Sequence, residues 1–230
     1  MKRLDLILNG KGGVGKSFFA VNFVQFLKDK GIAHVAIDSD NENSTLKRFH
    51  PDTRFLDLDH RRELDGIFGA LEKANLVVMD CRAASTDLFI DYFAEIDLPA
   101  VLAALGTALT LVMPVNHESD SVDQIQRLAD QFGKQCGYVV VRNAAHSESF
   151  ALFESSEVRA KLKDNLGGRE IAMSRLQDWL VESLNAENMT VTAATKHPAV
   201  SLFDRQRFQT WQRKFYAEIE SVTDLLLPAK

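Results

Sequence analysis

Gly10-Lys11-Gly12-Gly13-Val14-Gly15-Lys16-Ser17 is the stretch that decides the fold, and it stands between two apolar segments. Residues 4–8 form a short strand-like run, and residues 18–27 have the apolar content of a buried helix. Glycines let a backbone adopt positive φ and point successive N–H groups at a bound anion. A helix that starts directly after them adds a dipole that favours negative charge. The pattern therefore predicts a phosphate-binding loop between the first strand and the first helix.

Lysine and serine at the end of this stretch supply the chemistry that glycine lacks. Lys16 is placed to reach the β- and γ-phosphate oxygens of a nucleoside triphosphate, and Ser17 offers a hydroxyl oxygen to Mg²⁺. ATP and Mg²⁺ are the expected ligands, and ATP is favoured over GTP because the sequence has no guanine-specific Asn-Lys-x-Asp segment. The residues expected to contact the nucleotide are Gly10, Lys11, Gly12, Gly13, Val14, Gly15, Lys16, Ser17 and Phe18.

Two further strand-like runs end in acidic residues. Residues 35–37 lead to Asp38 and Asp40, and the apolar run 76–79 leads to Asp80. Parallel strands of a doubly wound sheet end at the edge where ligands bind, so these acids are expected near the phosphate loop. Carboxylate oxygens are typical ligands of Mg²⁺. Asp80 is therefore the candidate for holding Mg²⁺ through water.

The stretch GKGGVGKS resembles the deviant Walker A motif of the ParA/MinD family of P-loop ATPases, whose early lysine corresponds to Lys11. In that family this lysine reaches the phosphates held by the partner subunit of an ATP-bound dimer. The resemblance implies a homodimer with ATP and catalytic roles for Lys11 and Lys16, because a second cation on the γ-phosphate stabilises charge in transfer. Asp38 and Asp40 are similar to the family's Asp-x-Asp, which implies that Asp40 orients the attacking water and Asp38 supports the magnesium shell.

The sequence departs from the family after Asp80, where Cys81-Arg82-Ala83-Ala84-Ser85 stands in place of the usual proline-containing turn. This departure leaves the efficiency of hydrolysis open. Arg82 either contacts phosphate or a partner's acid, or is an ordinary solvated side chain. Asn143 follows a run similar to the family's late strand, and two interpretations remain: its amide reads the adenine edge, or it turns the chain out of the strand.

Strand-like runs alternate with helical segments along all 230 residues. This alternation predicts an α/β fold with a doubly wound, mostly parallel sheet and helices on both faces. No proline-rich linker or repeat divides the chain, so we expect a single P-loop ATPase domain over residues 1–230. The predicted strands are 4–8, 34–38, 75–80, 109–115, 137–142 and 170–173.

Cysteine usage and hydropathy indicate where the protein works. Cys81 and Cys136 have no partners at metal-ligand spacing, which fits a reducing cytoplasm. The sequence has neither a signal peptide nor an apolar run of about 18 residues, so we expect a soluble, cytoplasmic protein.

Charge limits the partners. The chain has 27 Lys and Arg against 32 Asp and Glu, a net charge of -5, so as a whole it is not an electrostatic DNA binder. DNA contact through local basic patches stays open, although such a patch is more often a solvated face. The candidate patches are Lys47 with Arg48, Arg61 with Arg62, and Arg205, Arg207, Arg213 and Lys214.

The C-terminal segment 201–227 carries an apolar stripe at helical spacing. Two interpretations are a membrane-binding amphipathic helix, as in MinD-type relatives, and a helix that packs on the sheet. Glu218, Glu220 and Asp224 would be repelled by anionic lipid, so we expect packing on the sheet and no membrane binding. The stripe consists of Phe208, Trp211, Phe215, Ile219, Val222 and Leu226.

These features favour a ParA/MinD-like, Mg²⁺-dependent ATPase switch. The resemblance implies that it dimerises around ATP and hydrolyses it slowly, with a protein partner that stimulates turnover, to position or segregate plasmid or chromosomal DNA or a protein cargo. Small members similar to this chain occur among plasmid stability and conjugation proteins. Two alternatives remain: a nucleotide-dependent binding module with little turnover, and an ATP-dependent ligase of the same fold branch.

Overall fold

A computed structural model describes residues 1–229 and places seven strands in one sheet. Every neighbouring pair is parallel, and the strand order is β3-β2-β4-β1-β5-β6-β7. The doubly wound α/β fold expected from the sequence is confirmed, with a sheet that is parallel throughout rather than mostly so. The strands are β1 Lys2–Ile7, β2 Val35–Asp38, β3 Arg54–Phe55, β4 Leu76–Asp80, β5 Thr107–Val115, β6 Gly137–Asn143 and β7 Arg169–Met173.

Helices connect the strands and cover both faces of the sheet, as right-handed crossovers between parallel strands require. Two short 3₁₀ turns, Arg61–Leu64 and Gly133–Gln135, precede β4 and β6. The helices are α1 Lys16–Asp29, α2 Thr45–Phe49, α3 Asp65–Lys73, α4 Thr86–Glu95, α5 Leu98–Ala104, α6 Ser119–Phe132, α7 Ala151–Glu154, α8 Glu157–Asn165, α9 Asp178–Glu187, α10 Val191–Lys196, α11 Leu202–Glu220 and α12 Thr223–Leu226.

Alternate residues of the central strands enter two separate hydrophobic clusters. In β4, Val77 and Met79 belong to the cluster under α3, α4 and α6, whereas Leu76 and Val78 belong to the cluster under α1 and α11. This alternation follows from the two-residue period of a strand whose faces are both covered. It explains why the central strands read as continuous apolar runs in the sequence.

The short strand β3 is absent from the predicted strands. Arg54 and Phe55 are both exposed, and they pair with Ile37 and Asp38 at the edge of the sheet. Two exposed residues have no apolar run from which a strand can be recognised. The predicted strand 34–38 begins one residue later, at Val35.

The C-terminal apolar stripe packs on the sheet, as expected. All six of its residues are buried in the cluster that includes Val112 and Val139 of the sheet. The helix ends at Glu220 and resumes as α12, so the stripe spans two helices rather than one. Arg3 Nη2 donates a hydrogen bond to the Asp224 carbonyl at 2.8 Å, which ties α12 to β1. None of the helices within residues 1–229 combines the length and the apolar character needed to cross a membrane.

Candidate functional site

The loop that follows β1 lies at the carboxyl edge of the sheet. Because the later strands β4 and β5 pair with β1 on its two sides, the loop lies where the strand order reverses, which is the usual ligand site of such sheets. Gly13 and Gly15 have φ of 75° and 95°, in the left-handed region that favours glycine. Helix α1 begins at Lys16, and no side chain of the described residues caps its first turn. The N–H groups of that turn therefore remain free for an anion at the helix N-terminus.

Lys16 points into the interior of this loop. Its side chain is almost fully buried, and its Nζ donates a hydrogen bond to the Lys11 carbonyl at 2.9 Å. Burial lowers the pKa of Lys16, while the negative charges of Asp80 and Asp40 act in the opposite direction. A cation held inside the loop and close to acids is placed to meet phosphate oxygens.

Lys11 points away from the loop, toward the start of α6. Its Nζ lies 2.8 Å from a Glu118 carboxylate oxygen and 3.0 Å from Asp120. These two hydrogen bonds raise the pKa of Lys11, with Glu118 contributing most. The Lys11 amide donates to Asn9 Oδ1 at 3.0 Å, and Asn9 Nδ2 donates to the Pro114 carbonyl at 2.9 Å. The loop is thus fastened to the end of β5 and to α6 through both backbone and side chain.

Asp38 and Asp80 end neighbouring strands and occupy paired positions in the sheet. Asp38 is fully buried, and its two carboxylate oxygens accept hydrogen bonds from the amides of Asp40 and Lys47, each at 3.0 Å. Burial raises its pKa, and these amide hydrogen bonds act against the rise. Asp38 therefore holds the turn that carries Asp40 and the start of α2.

Asp80 differs from Asp38 because no backbone amide of residues 1–229 donates a hydrogen bond to its carboxylate. Neither of its carboxylate oxygens is hydrogen-bonded to any of residues 1–229, although the side chain is buried. Burial raises the pKa of Asp80 to about 7; the nearby Asp38 adds to the rise, and the Ser17 hydroxyl and the Lys16 ammonium oppose it. A buried carboxylate without donors is costly unless a cation accompanies it. The position beside Ser17 fits a divalent cation with oxygen ligands.

Asp40 lies in the turn after β2, at the rim of the cleft. Its Oδ1 accepts hydrogen bonds from the amides of Glu42 and Asn43 at 3.0 and 3.2 Å, and its Oδ2 accepts one from Asn43 Nδ2 at 3.3 Å. The carboxylate is therefore engaged within its own turn.

The segment after Asp80 is joined to the phosphate loop. Ala84 has a left-handed φ of 56°, and its amide donates to the Gly10 carbonyl at 2.9 Å. The Arg82 side chain forms an ion pair with Asp59, and its amide donates to Ser39 Oγ at 3.0 Å. This ion pair lies within the chain, so it realises neither the contact with phosphate or a partner's acid nor a fully solvated side chain.

Asn143 lies against the phosphate loop. Its Nδ2 donates to the Val14 carbonyl at 2.9 Å, and its Oδ1 accepts from the Ala145 amide at 3.1 Å. A Cβ on Gly15 would lie 2.3 Å from Asn143 Nδ2, so glycine is needed for this approach as well as for its φ. The amide nitrogen and the amide oxygen of Asn143 are thus both hydrogen-bonded to backbone groups, the nitrogen in the phosphate loop and the oxygen in the turn after β6.

A cleft of about 610 Å³ joins these parts. Phe18 lies at its edge, where its ring packs edge-on to Trp211 at a centroid distance of 5.5 Å. The cleft brings together the phosphate loop, the turn after Asp38 and the segment after Asp80. Its lining residues are Gly12, Gly13, Gly15, Lys16, Ser17, Phe18, Asp40, Asn41, Glu42, Asn43, Thr45, Cys81, Arg82, Ala83 and Ala84.

Four neighbours of the loop were missed by reasoning from sequence. Glu118 and Asp120 hold Lys11, and the Gln124 and Thr86 side chains are hydrogen-bonded to each other at 2.9 Å beside Gly10. A Cβ on Gly10 would lie 2.3 Å from Gln124 Oε1, so this glycine is required by close approach. The only sequence signal is acidic residues at the start of a helix, which is also typical of ordinary helix N-termini.

One arginine of each predicted basic patch is engaged within the chain. Arg61 pairs with Glu95 at 2.8 Å and Arg207 with Asp204 at 2.8 Å, while Arg48 donates to Asn185 at 3.2 Å. The carboxylates of Glu95 and Asp204 reduce the positive potential around Arg61 and Arg207, whereas the Asn185 amide leaves the charge of Arg48 in place.

Residues 6–154 match the family described as the CobQ/CobB/MinD/ParA nucleotide binding domain. The chain belongs to this family. The match covers the phosphate loop, all three acids and Asn143, so the whole cleft lies within the family's nucleotide-binding domain.

Similar proteins extend the likeness to the full chain. Protein MobD of Acidithiobacillus ferrooxidans is 24% identical over 227 residues, covering 96% of this chain and 98% of MobD. Protein TraL of Escherichia coli is 26% identical over 251 residues, covering 98% of this chain and all of TraL. Among solved structures, the septum site-determining protein MinD of Pyrococcus horikoshii, complexed with Mg-ADP, covers the whole chain with a TM-score of 0.53 and 17% identity. This last likeness concerns the fold.

Proposed function

We propose that the protein is an Mg²⁺-dependent ATPase switch that dimerises around ATP, hydrolyses it slowly and thereby positions DNA or a protein cargo. The observation that carries this proposal is the cleft in which an uncapped helix N-terminus, a buried lysine and a buried carboxylate without hydrogen-bond donors meet. An Mg²⁺–triphosphate supplies an anion for the helix N-terminus and Lys16 and a cation for Asp80. The full-length similarity to MobD and TraL supports placing the protein beside these two members of the family.

The loop residues have distinct tasks in this proposal. The amides of residues 10–17 bind the phosphates, with Gly13 and Gly15 providing the conformation and Phe18 bordering the cleft. Lys16 neutralises the β- and γ-phosphate oxygens. Ser17 and Asp80 hold Mg²⁺, with Asp38 supporting them from the neighbouring strand. The bound metal neutralises charge that develops on the phosphates during transfer.

Two residues are assigned to turnover. Asp40 positions the attacking water at the rim of the cleft, and Lys11 supplies the second cation across a homodimer. For Lys11 to do so, its ion pairs with Glu118 and Asp120 must open, which supports a reaction that is slow until a partner subunit or a stimulating protein binds.

A second candidate, a nucleotide-dependent binding module with little turnover, is favoured by the state of Asp40. Its carboxylate already accepts three hydrogen bonds from its own turn. A carboxylate that is engaged in this way has less capacity to orient a water. The two candidates differ in turnover and share ATP-dependent dimerisation.

Size-exclusion chromatography with light scattering tests the proposal on wild type and on Asp40→Ala, with and without ATP and Mg²⁺, and with DNA added in parallel. We expect ATP-dependent dimers for both proteins, and phosphate release in wild type alone. Dimers without phosphate release in wild type would instead identify the binding module. A protein that stays monomeric with ATP and Mg²⁺ contradicts both.

A further inference from the structure

A second cavity, of about 210 Å³, lies beside the nucleotide cleft between α1, α2, α9 and residues 189–191. Phe18 and Thr45 line both spaces, so the cavity and the cleft share a wall. The cavity walls are mainly apolar. Their apolar members are Phe18, Val21, Phe49, Val181, Leu184, Met189 and Val191.

One buried polar group faces this apolar space without a complete set of partners. The Asn22 side chain is only 4% exposed, and its Nδ2 donates to the Phe18 carbonyl at 2.8 Å. None of the hydrogen bonds among residues 1–229 has Asn22 Oδ1 as its acceptor. A ligand that brings an N–H or O–H to this amide oxygen gains both a hydrogen bond and apolar contact.

Two other polar side chains in the lining, those of Asn185 and Thr190, already form hydrogen bonds. Asn185 accepts from Arg48 at 3.2 Å and donates to the Val181 carbonyl at 3.0 Å. The Thr190 hydroxyl accepts from the Ala193 amide at 3.3 Å, where it caps α10. Of the two side-chain amides in the lining, Asn22 is therefore the one whose oxygen is left for a ligand.

Volume limits the class of ligand. Drug-sized ligands and cofactors occupy pockets of roughly 300–1,000 Å³, whereas an apolar cavity of about 150 Å³ is enough for benzene. A cavity of about 210 Å³ lies between these limits and accommodates one flat ring system. A whole nucleotide is too large.

We propose that this cavity binds a small aromatic molecule that carries a single N–H or O–H donor, of the size of indole, and that its occupancy changes nucleotide affinity. The second half of this proposal rests on the proposed nucleotide function, and the first half does not.

Helix α2 connects the cavity to the acids of the cleft. Thr45 and Phe49, at its two ends, line the cavity, and the amide of Lys47 between them donates to the Asp38 carboxylate. On the opposite wall, Phe18 directly follows Ser17 on α1. A ligand that contacts Phe18 and Phe49 therefore touches α1, which carries Ser17, and α2, whose Lys47 amide holds the Asp38 carboxylate.

Binding is tested with indole by isothermal titration calorimetry on the full chain. We expect saturable binding to wild type, and about 2- to 10-fold weaker binding of benzothiophene, which has the same shape without the N–H donor, because one neutral hydrogen bond contributes in this range. Val181→Phe fills the cavity and should abolish binding, whereas Val181→Ala leaves it open and should retain it. Met189→Trp fills the same space from another wall if Val181→Phe does not fold.

No saturable binding of indole, equal binding of benzothiophene, or binding that survives a folded cavity-filling variant each overturns the site. Coupling is then measured as the affinity for a fluorescent ATP analogue with and without saturating indole, and we expect a change of about 5-fold or more. Unchanged analogue affinity with bound indole overturns the effector role; absent analogue binding overturns the proposed function and leaves the calorimetric result standing.

Discussion

The ammonium of Lys11 lies between two carboxylates of its own chain, 2.8 Å from Glu118 and 3.0 Å from Asp120. A lysine that is to reach the phosphates of a partner subunit must first leave these acids. In the proposed ATP-bound dimer these contacts would compete with the role of Lys11 across the interface, so their removal should favour the dimer.

The double variant Glu118→Gln/Asp120→Asn should dimerise with a non-hydrolysable ATP analogue at a lower protein concentration than wild type. Each partly exposed ion pair contributes little, so the expected gain in dimer affinity is roughly 2- to 10-fold. Analytical ultracentrifugation measures it, with Asp123→Asn, an exposed acid on the same helix, as the matched control. A dimer weaker than that of wild type would show that these acids act across the interface instead.

Lys16→Ala should abolish nucleotide binding, whereas Lys11→Ala should preserve it in the monomer and weaken the ATP dimer. The reason is geometric: Lys16 is buried inside the loop, and Lys11 points out of it. Titration of a fluorescent ATP analogue measures nucleotide binding by both variants, and sizing chromatography measures the ATP dimer of Lys11→Ala. Normal analogue affinity in Lys16→Ala would remove the basis for the phosphate site.

Asp80→Asn should stabilise the protein without metal or nucleotide, and more strongly at pH 8 than at pH 5. The raised pKa of about 7 means that the folded state holds a proton that the unfolded chain releases near pH 4. The free energy of unfolding is therefore highest below pH 4 and falls as pH rises toward 7, by up to about 4 kcal/mol for this group.

Thermal melts of wild type and Asp80→Asn across this pH range measure the difference in stability between the two proteins. The contributions of other buried acids cancel in this difference, because both proteins contain them. Adding Mg²⁺ with nucleotide should raise the melting temperature of wild type and have little effect on the variant. If the two proteins differed in melting temperature by the same amount at every pH, the assignment of a buried carboxylate with a raised pKa would be contradicted.

Asn143→Ala should weaken ATP and GTP binding by the same factor. The amide holds the Val14 carbonyl and the Ala145 amide, so its loss loosens the phosphate loop irrespective of the base. We expect a loss of about 3- to 10-fold for each nucleotide, the range of one or two buried hydrogen bonds. A loss confined to ATP would instead support the interpretation in which Asn143 reads adenine.

Gly15→Ala should be more damaging than Gly12→Ala. Gly15 has a left-handed φ of 95°, and its Cβ would meet Asn143 Nδ2 at 2.3 Å, whereas a Cβ on Gly12 would meet Ala83 Cβ at 3.9 Å, an ordinary contact. Nucleotide titration and thermal melts compare the two variants. Equal behaviour would indicate that the loop relaxes around either side chain.

The sequence determined those features that depend on the order of residues along the chain. The phosphate loop and its strand–loop–helix setting could be predicted from the stretch Gly10–Ser17, because glycine spacing and apolar flanks are local properties. The acids at the ends of β2 and β4 could be found because buried parallel strands are continuous apolar runs with a clear end. The packing of the C-terminal apolar stripe could be predicted because helical spacing of apolar residues is also a local property.

Tertiary structure decided which partners these side chains have, since each partner lies far away in the sequence. Lys11 meets Glu118 and Asp120, and Asn143 meets Val14, through strands that the sheet places side by side. Asp38 and Asp80 are equivalent in the sequence, yet one carboxylate is hydrogen-bonded and the other is not, because only Asp38 faces the amides of the turn that follows it. Charge compensation in a buried site depends on distances between distant segments, and those distances exist only in the folded chain.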